Sequence, residues 1–312
     1  MATFGAVVRS MRPRQWTKNL LVLAALLFAK QFADPDAVLR ACAAFALFCM
    51  LSGTVYLVND VADIQQDRRH PRKRLRPIAA GELSPRTAVA VAAIVALLSL
   101  AGCFLVNPNT GLVALAYLGI TLCYHFVLKH VVILDALAVA GGFVLRAVAG
   151  AEAISVEISP WLLLCTLLLA LFLSFSKRRQ EIATLEDDAQ ATRQILAEYT
   201  SELLDQLITT VTACTVMSYC LYTISDRTVS EVGSRDLLFT IPFVMYGIFR
   251  YLYLIHRHGE GEAPDRVFLT DLPLLITVAA YVAVVATIFY MAAGGLGGPL
   301  LPANSPAQLP MQ

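Results

Sequence analysis

Long apolar stretches separated by short polar segments dominate the pattern of this chain. A membrane-crossing helix needs about 20 mainly apolar residues, and five stretches contain no Asp, Glu, Lys or Arg: 41–59, 87–128, 158–176, 206–225 and 272–312. The second stretch is long enough for two helices, and Asn107-Pro108-Asn109 marks a turn between them. With three weaker segments, the pattern predicts helices at 17–33, 37–60, 86–106, 110–128, 131–150, 159–177, 202–225, 237–256 and 271–293.

The predicted fold is therefore an all-α, polytopic membrane bundle of nine transmembrane helices. We expect residues 1–293 to form a single transmembrane catalytic domain. The uncharged segment 294–312 is rich in Gly and Pro, which is typical of a disordered C-terminal tail.

Composition supports the same class of protein. Hydrophobic residues fill 58% of the 312 positions and charged residues 15%, which leaves too few polar side chains to cover a soluble globule of this size. The seven cysteines all fall within predicted spans, so we expect no disulfide. The formal net charge of +1 gives no reason to expect a nucleic acid partner.

The distribution of Lys and Arg predicts the orientation in the membrane. Cytoplasmic loops of membrane proteins carry an excess of these residues. With the N-terminus inside, eighteen of the 24 lie on the cytoplasmic side and four on the outer side. The even-numbered helices then end in the cytoplasm, and we expect a multi-pass membrane protein with its polar site facing the cytoplasm.

Three carboxylates stand together at the end of the second predicted helix. If the helix continues, Asp60, Asp63 and Asp67 share one face within two turns, where they repel each other. A divalent cation would relieve this repulsion, and Mg²⁺ prefers one or two protein carboxylates with water and phosphate completing its shell. The sequence thus predicts a catalytic Mg²⁺ site with these three metal ligands; the alternative is a solvated acidic helix end that pairs with the arginines after it.

A basic run follows the carboxylates directly. Positive-inside topology is the simpler reading for Arg68, Arg69 and Arg86. Lys73, Arg74 and Arg76 are candidates for phosphate binding, because a diphosphate needs cationic donors beside its metal ion.

A second polar group ends the sixth predicted helix. Lys177, Arg178 and Glu181 lie within about one turn of each other, although a basic cluster at a membrane border is also an ordinary topology signal. We expect the ends of helices two and six to line one pocket that opens laterally to the lipid. Tyr199 lies in the following polar stretch, and Arg146, a charge within a span, is a functional candidate unless Asp135 pairs with it.

The motif Asn59-Asp60-x-x-Asp63-x-x-x-Asp67, at the end of the second of nine helices, resembles the first signature of the UbiA superfamily of intramembrane prenyltransferases. The resemblance covers essentially the whole chain. Common members carry a second aspartate-rich motif, where this chain has Lys177-Arg178-Arg179-x-Glu181. That departure argues against an ordinary quinone or haem prenyltransferase.

Three strings instead resemble the decaprenyl-phosphate phosphoribosyltransferase branch of the superfamily. They are Arg12-Pro13-Arg14-Gln15-Trp16-Thr17-Lys18-Asn19, His70-Pro71-x-Lys73-Arg74-x-Arg76-Pro77, and Lys177-Arg178-x-x-Glu181 followed by Tyr199-Thr200. The resemblance implies transfer of 5-phosphoribose from phosphoribosyl diphosphate to a polyprenyl phosphate, for arabinan in the cell wall, with Mg²⁺ as the cofactor.

The resemblance also implies roles for the candidate residues. Lys73, Arg74 and Arg76 would bind the donor's phosphates, and Asn59 would also bind substrate. Lys177 and Arg178 would bind its remaining phosphate or the lipid phosphate, and Glu181 and Tyr199 would hold ribose hydroxyls or orient those bases. Lys18 and Asn19 would lie at the mouth of the lipid cleft.

Two other functions stay open from the sequence. A prenyltransferase that uses an isoprenyl diphosphate and an aromatic or quinone-precursor acceptor would share the Mg²⁺ motif but would want the second acidic cluster. A lipid or small-molecule transporter would carry charges along a midplane path, where only Arg146 and Asp135 are candidates. The sequence leaves homo-oligomerisation open.

Overall fold

The computed structural model describes residues 2–71, 73–185, 198–258, 270–292, 294 and 300–301. These residues form α-helices and short 3₁₀ helices, and they contain no β-strand. The α-helices are α1 (Ala2–Ser10), α2 (Ala24–Phe28), α3 (Pro35–Ala62), α4 (Ile64–Arg69), α5 (Pro85–Val106), α6 (Pro108–Phe126), α7 (Leu134–Ala153), α8 (Pro160–Leu185), α9 (Ser201–Ile224), α10 (Asp226–Val232), α11 (Ile241–His258) and α12 (Leu272–Ala292). The 3₁₀ helices are Pro13–Leu23, Gln31–Ala33, Lys73–Leu75, Leu128–His130 and Asp236–Thr240.

Local sequence signals explain where several long helices begin. A short polar residue followed by proline precedes α3, α5 and α6, and in each case its side chain accepts a hydrogen bond from a backbone N–H of the first turn. The capping residues are Asp34, Ser84 and Asn107. Such caps satisfy N–H groups that have no partner within the helix, and proline suits the first helical position.

The helical membrane fold expected from the sequence is confirmed. Within the described residues, seven helices are long and apolar enough to cross a membrane: Pro35–Ala62, Pro85–Val106, Leu134–Ala153, Pro160–Ala183, Ser201–Ile224, Asp236–His256 and Leu272–Ala292. They match seven of the nine predicted spans. The predicted span 110–128 is present as α6, a helix with polar residues at both ends.

The predicted span 17–33 has a different structure. Its residues form the 3₁₀ helix Pro13–Leu23 and the five-residue helix α2. The 3₁₀ helix packs between α3 and α7. A Cβ atom on Gly150 of α7 would lie 1.9 Å from the carbonyl oxygen of Val22, so only glycine permits this approach of the two backbones.

The described residues divide into two compact units, one up to Ala170 and one from Leu171 onward. In the first unit, α3 is the central helix and packs against α5, α6, α7 and the 3₁₀ helix. Phe48 of α3 and Tyr117 of α6 pack ring to ring with their centroids 5.3 Å apart, within a core of fully buried apolar residues. This packing holds the middle of α3 within the first unit.

The second unit is built from α9 to α12 together with the C-terminal part of α8. The Tyr219 hydroxyl hydrogen-bonds to Thr240 and Tyr281, which joins three of its elements. Leu300 and Leu301 donate backbone hydrogen bonds to the carboxylate of Asp236. The remainder of the predicted tail, except Gly294, lies outside the described residues.

Candidate active site

Asp60 and Asp67 form a buried carboxylate pair where α3 passes into α4. Their side chains are 2% and 3% exposed. The two residues are seven positions apart, a spacing at which helical side chains point in the same direction to within about 20°. Nη1 of Arg76 donates to both, at 3.2 Å from Oδ1 of Asp60 and 2.6 Å from Oδ2 of Asp67. Two carboxylates that share one cationic nitrogen are close enough to share one cation.

Arg12 gives Asp60 a second cationic partner. Its Nη2 atom hydrogen-bonds to the same Oδ1 atom of Asp60, and its guanidinium stacks 4.7 Å from the ring centre of Tyr56, one turn earlier on α3. The buried negative charge of Asp60 is therefore compensated from two directions, as a charge removed from water requires. The centre consists of two carboxylates held between two guanidinium groups.

Asp63 is placed differently from the other two carboxylates. It lies at the junction of α3 and α4 with φ −93° and ψ 11°, its side chain is 24% exposed, and Nζ of Lys129 lies 3.6 Å from its Oδ1 atom. Its backbone N–H donates to the carbonyl oxygen of Asn59 at 2.9 Å. Within the described residues, no three His, Cys, Asp or Glu side chains converge as a ready metal site.

The donor set nevertheless fits Mg²⁺. This ion prefers one or two protein carboxylates and takes its other ligands from water and phosphate. Asp60 and Asp67 supply two such carboxylates, and Asp63 stands within the same two turns. A metal ion at this pair would compete with Nη1 of Arg76 for the same oxygen atoms.

The basic run beyond α4 turns back towards this centre. Lys73 and Arg74 lie in a 3₁₀ turn and are exposed, whereas Arg76 reaches inward to the carboxylates. Arg68 donates to the carbonyl oxygen of Ala79 at 3.3 Å, a contact that fastens the loop. Arg72 lies outside the described residues.

The second candidate group lies on the C-terminal part of α8, in the second unit. Nη1 of Arg178 donates to Oε2 of Glu181 at 2.9 Å, and Nζ of Lys177 lies 3.8 Å from Oε1 of the same carboxylate. Glu181 thus orients both cations. Arg178 is 4% exposed, whereas the Lys177 side chain is 44% exposed.

Two neighbours complete the description of this group. Arg179 turns away to donate to Asp205 of α9 at 3.0 Å. Tyr199, which comes just before α9, is buried. The common pocket expected for helices two and six stays a prediction.

Asn19 and Arg146 lie in the interior of the first unit. Nε of Arg146 donates to Oδ1 of Asn19 at 2.7 Å, and its other nitrogens donate to the Gly142 carbonyl oxygen at 2.9 Å and the Tyr117 hydroxyl at 2.7 Å. Asn19 is fully buried, whereas its neighbour Lys18 is partly exposed. Asp135 lies about 16 Å from Arg146 along α7 at 1.5 Å per residue, too far for a direct pair.

Sequence reasoning did not single out three of the residues that complete these groups. Arg12 pairs with a carboxylate 48 positions away, and Lys129 with one 66 positions away. Tyr117 contacts Arg146 from α6. Each of these contacts joins residues that are far apart in the sequence, so local patterns do not indicate it. The one available signal was that Arg12 precedes the segment that contains Asn19.

The fold and this centre define the class: a polytopic helical membrane protein whose buried carboxylates and clustered arginines suit a phosphorylated ligand. The chain belongs to the UbiA prenyltransferase family, whose model matches residues 19–272. It is 36% identical over 283 residues to a decaprenyl-phosphate phosphoribosyltransferase of Mycobacterium tuberculosis, covering 89% of this chain and 92% of the relative. A protein of the same name from Corynebacterium glutamicum is 35% identical over 291 residues, covering 91% and 87%.

Solved structures have the same fold. A UbiA homolog from Archaeoglobus fulgidus, solved bound to DMAPP and Mg²⁺, superposes with a TM-score of 0.68 at 18% sequence identity. The match covers 91% of this chain and 98% of that one.

Proposed function

We propose that this protein transfers 5-phosphoribose from phosphoribosyl diphosphate to a polyprenyl phosphate such as decaprenyl phosphate, and releases diphosphate. One structural observation carries the proposal: two buried carboxylates meet two arginines at the end of a membrane helix. Two relatives of matching length, at 35–36% identity, carry the name of this activity. By the resemblance to the superfamily, the group of Lys177, Arg178 and Glu181 would take the place of the second acidic motif of an ordinary prenyltransferase.

Asp60 and Asp67 would hold a Mg²⁺ ion in this proposal, with Asp63 as the third carboxylate of the motif. When bound there, the ion would neutralise negative charge that develops on the departing diphosphate. The structural neighbour from A. fulgidus was solved with Mg²⁺. Arg76 is in contact with both carboxylates and would turn its free guanidinium edge to the diphosphate, since arginine has five N–H donors.

The exposed cations after α4 would bind the donor from the water side. Lys73 and Arg74 lie in the 3₁₀ turn that leads to Arg76, and Asn59 lies one residue before Asp60. Charge-assisted hydrogen bonds to phosphate oxygens are about twice as strong as neutral ones. This turn would therefore recruit phosphoribosyl diphosphate before its diphosphate reaches the buried pair.

The basic group on α8 would bind a second phosphate, either the donor's 5-phosphate or the phosphate of the lipid. Lys177 and Arg178 both contact the carboxylate of Glu181, which holds the two cations next to each other. Arg179 is engaged with Asp205 and takes no part. Tyr199 would contribute a hydroxyl group for ribose.

The reaction requires positioning more than proton transfer. The bond between the anomeric carbon and the diphosphate oxygen breaks, and a bond forms between that carbon and an oxygen of the lipid phosphate. The lipid phosphate is already anionic at neutral pH, so no strong general base is needed. Holding both phosphates in line raises the rate by making the encounter effectively unimolecular.

The polyprenyl chain of the acceptor requires that the reaction take place at the membrane. Withdrawing the chain into water would expose methylene groups at about 0.8 kcal/mol each, so the acceptor reacts while its tail stays in the bilayer. We propose that residues 1–293 act as one catalytic domain in the bacterial inner membrane. The asymmetric distribution of Lys and Arg supports a cytoplasmic site.

A radiolabel transfer experiment tests the proposed function. The purified protein receives Mg²⁺, labelled phosphoribosyl diphosphate and decaprenyl phosphate, and labelled product is then extracted into organic solvent. Mg²⁺-dependent label in that phase supports the proposal. Label that appears only when an isoprenyl diphosphate and an aromatic acceptor are supplied would identify a prenyltransferase instead.

A further inference from the structure

The 3₁₀ helix Pro13–Leu23 directly follows one residue of the candidate centre, Arg12, and contains the buried residue Asn19 in its second half. Arg12, the residue that precedes it, has φ 52° and ψ 66°. This left-handed conformation is unfavourable for a residue other than glycine and persists only where the surroundings hold it. Arg12 also contacts Asp60. The placement of the 3₁₀ helix therefore sets the placement of Arg12.

Asn19 anchors this helix in the protein interior. It is 0% exposed, its Nδ2 atom donates to Oγ of Ser52 at 3.1 Å, and it contacts Sγ of Cys49 at 3.4 Å, both on α3. Its Oδ1 atom accepts the 2.7 Å hydrogen bond from Arg146. The amide is thus satisfied on both sides by the protein.

Arg146 joins three elements directly, and the Asn19 amide connects it to a fourth, α3. Its guanidinium donates to Asn19 of the 3₁₀ helix, to Tyr117 of α6 and to Gly142 of α7, and it stacks 4.7 Å from the Tyr117 ring centre. Its three nitrogens all donate to protein atoms, and the residue is 8% exposed. A charge so enclosed is suited to fixing helices rather than to receiving a ligand.

One turn further along α7, Gly150 has no side chain, which allows the backbone of Val22 to pack directly against it. Arg146 and Gly150 are four residues apart and so lie on one face of α7, while Asn19 and Val22 are three apart on the 3₁₀ helix, which also places them on one face. The helix is fastened to α7 at two successive turns. Arg12 lies about 14 Å from Asn19 at about 2.0 Å per residue, close enough to be positioned by this anchor.

We propose that Arg146 is a positioning residue for the Asp60 centre. It holds Asn19, Asn19 holds the 3₁₀ helix, and that helix presents Arg12 to Asp60. The kinetic part of the inference rests on the proposed function, whereas the structural part does not.

Hydrogen exchange of the full-length protein in lipid nanodiscs tests the structural part. In Arg146→Lys, the single point charge replaces the guanidinium fork, and the backbone amides of residues 14–23 should exchange faster than in the wild type. Adding Asn19→Asp gives the lysine a carboxylate partner and should restore part of the protection. Arg14→Gln, which removes an exposed charge from the same helix, is the matched control and should leave exchange unchanged.

Kinetics test the connection to the Asp60 centre. Arg146→Lys should weaken activation by Mg²⁺ by up to about 10-fold, below the 10–100-fold loss that is usual when a direct partner of a metal-binding carboxylate is removed, because Arg146 acts through Asn19 and Arg12. The KM for phosphoribosyl diphosphate should change less than the Mg²⁺ requirement. If Arg146→Lys misfolds, Tyr117→Phe removes one hydrogen bond from the same guanidinium and should show both effects more weakly.

The outcomes separate the two proposals. Unchanged exchange at 14–23 together with a large rise in donor KM would overturn the inference, because Arg146 would then contact the substrate directly. If the wild type makes no product from phosphoribosyl diphosphate, the proposed function fails, and hydrogen exchange still decides the positioning role.

Discussion

Nη1 of Arg76 lies 2.6 Å from Oδ2 of Asp67, a carboxylate nine residues before it whose side chain is 3% exposed. The same nitrogen reaches Asp60 at 3.2 Å. Arg76 therefore binds the two carboxylates together, and its position makes the acidic pair and the basic run one centre rather than two neighbouring motifs.

Replacing either buried carboxylate should remove most of the metal-dependent activity. In Asp60→Asn or Asp67→Asn, one ligand of the proposed Mg²⁺ site is lost, and we expect activity to fall at least 10–100-fold. Isothermal titration with Mg²⁺ in detergent measures the binding. Asp63→Asn is the comparison within the motif: Asp63 is partly exposed and faces Lys129, so a smaller loss is expected. Wild-type Mg²⁺ affinity in Asp60→Asn would contradict the metal role.

Removing Arg76 should destabilise the protein and increase the stabilisation given by Mg²⁺. Arg76→Gln leaves two buried carboxylates with one guanidinium, and breaking a buried ion pair costs about 3–5 kcal/mol. The cost should lie at the low end, because the Arg76 side chain is 25% exposed. Thermal unfolding with and without Mg²⁺ measures both effects, since a ligand that binds only the folded state raises its stability.

Arg74→Gln is the matched control for Arg76→Gln. Arg74 is exposed in the same loop, so its replacement should change stability by no more than about 0.5 kcal/mol while it weakens donor binding. Equal destabilisation by the two variants would show that Arg76 does not have the role assigned to it.

Most helices could be predicted from the sequence because their signals are local. The span 86–106 was observed as Pro85–Val106, where Ser84 and Pro85 mark the start of the helix and Asn107 its end. The spacing of Asp60 and Asp67 likewise predicted a shared face. The separation of Asp63 from the pair Asp60 and Asp67 was not predictable, because it depends on a break in helical geometry between Ala62 and Ile64.

The first predicted span shows why local signals are insufficient. Segment 17–33 has the composition of a short membrane helix, but its backbone conformation is decided by packing against α7 at Gly150. The side-chain amide of Asn19 is buried and therefore needs hydrogen-bond partners. Those partners lie 30 to 127 positions away in the sequence. Contacts over that distance cannot be inferred from periodicity.

Gly150 should be intolerant of any side chain. In Gly150→Ala, the new methyl group would meet the Val22 carbonyl oxygen at 1.9 Å, and overpacking of this kind costs about 1–3 kcal/mol. Gly119→Ala on α6 is the matched control, because its Cβ would find nothing within 4 Å and alanine favours helix over glycine by about 1 kcal/mol. Thermal unfolding should show a lower midpoint for Gly150→Ala alone; equal midpoints would contradict the close packing.

The basic group on α8 should discriminate between the substrates. Arg178→Gln removes a buried cation held by Glu181 at 2.9 Å, and we expect it to weaken phosphoribosyl diphosphate binding by about 2–5 kcal/mol. Arg179→Gln, next in the chain but paired with Asp205, should affect binding much less. Equilibrium binding of each substrate separates the roles: loss of polyprenyl phosphate affinity alone would assign Arg178 to the lipid phosphate.

The measurement that tests the central claim most directly is transfer of label from phosphoribosyl diphosphate to decaprenyl phosphate by the wild type and by Asp60→Asn, each with and without Mg²⁺. The account predicts organic-soluble label for the wild type with Mg²⁺, and loss of that label both on chelation and in the variant. Transfer that is unaffected by chelation and by Asp60→Asn would contradict it, as would a wild type that transfers label only from an isoprenyl diphosphate.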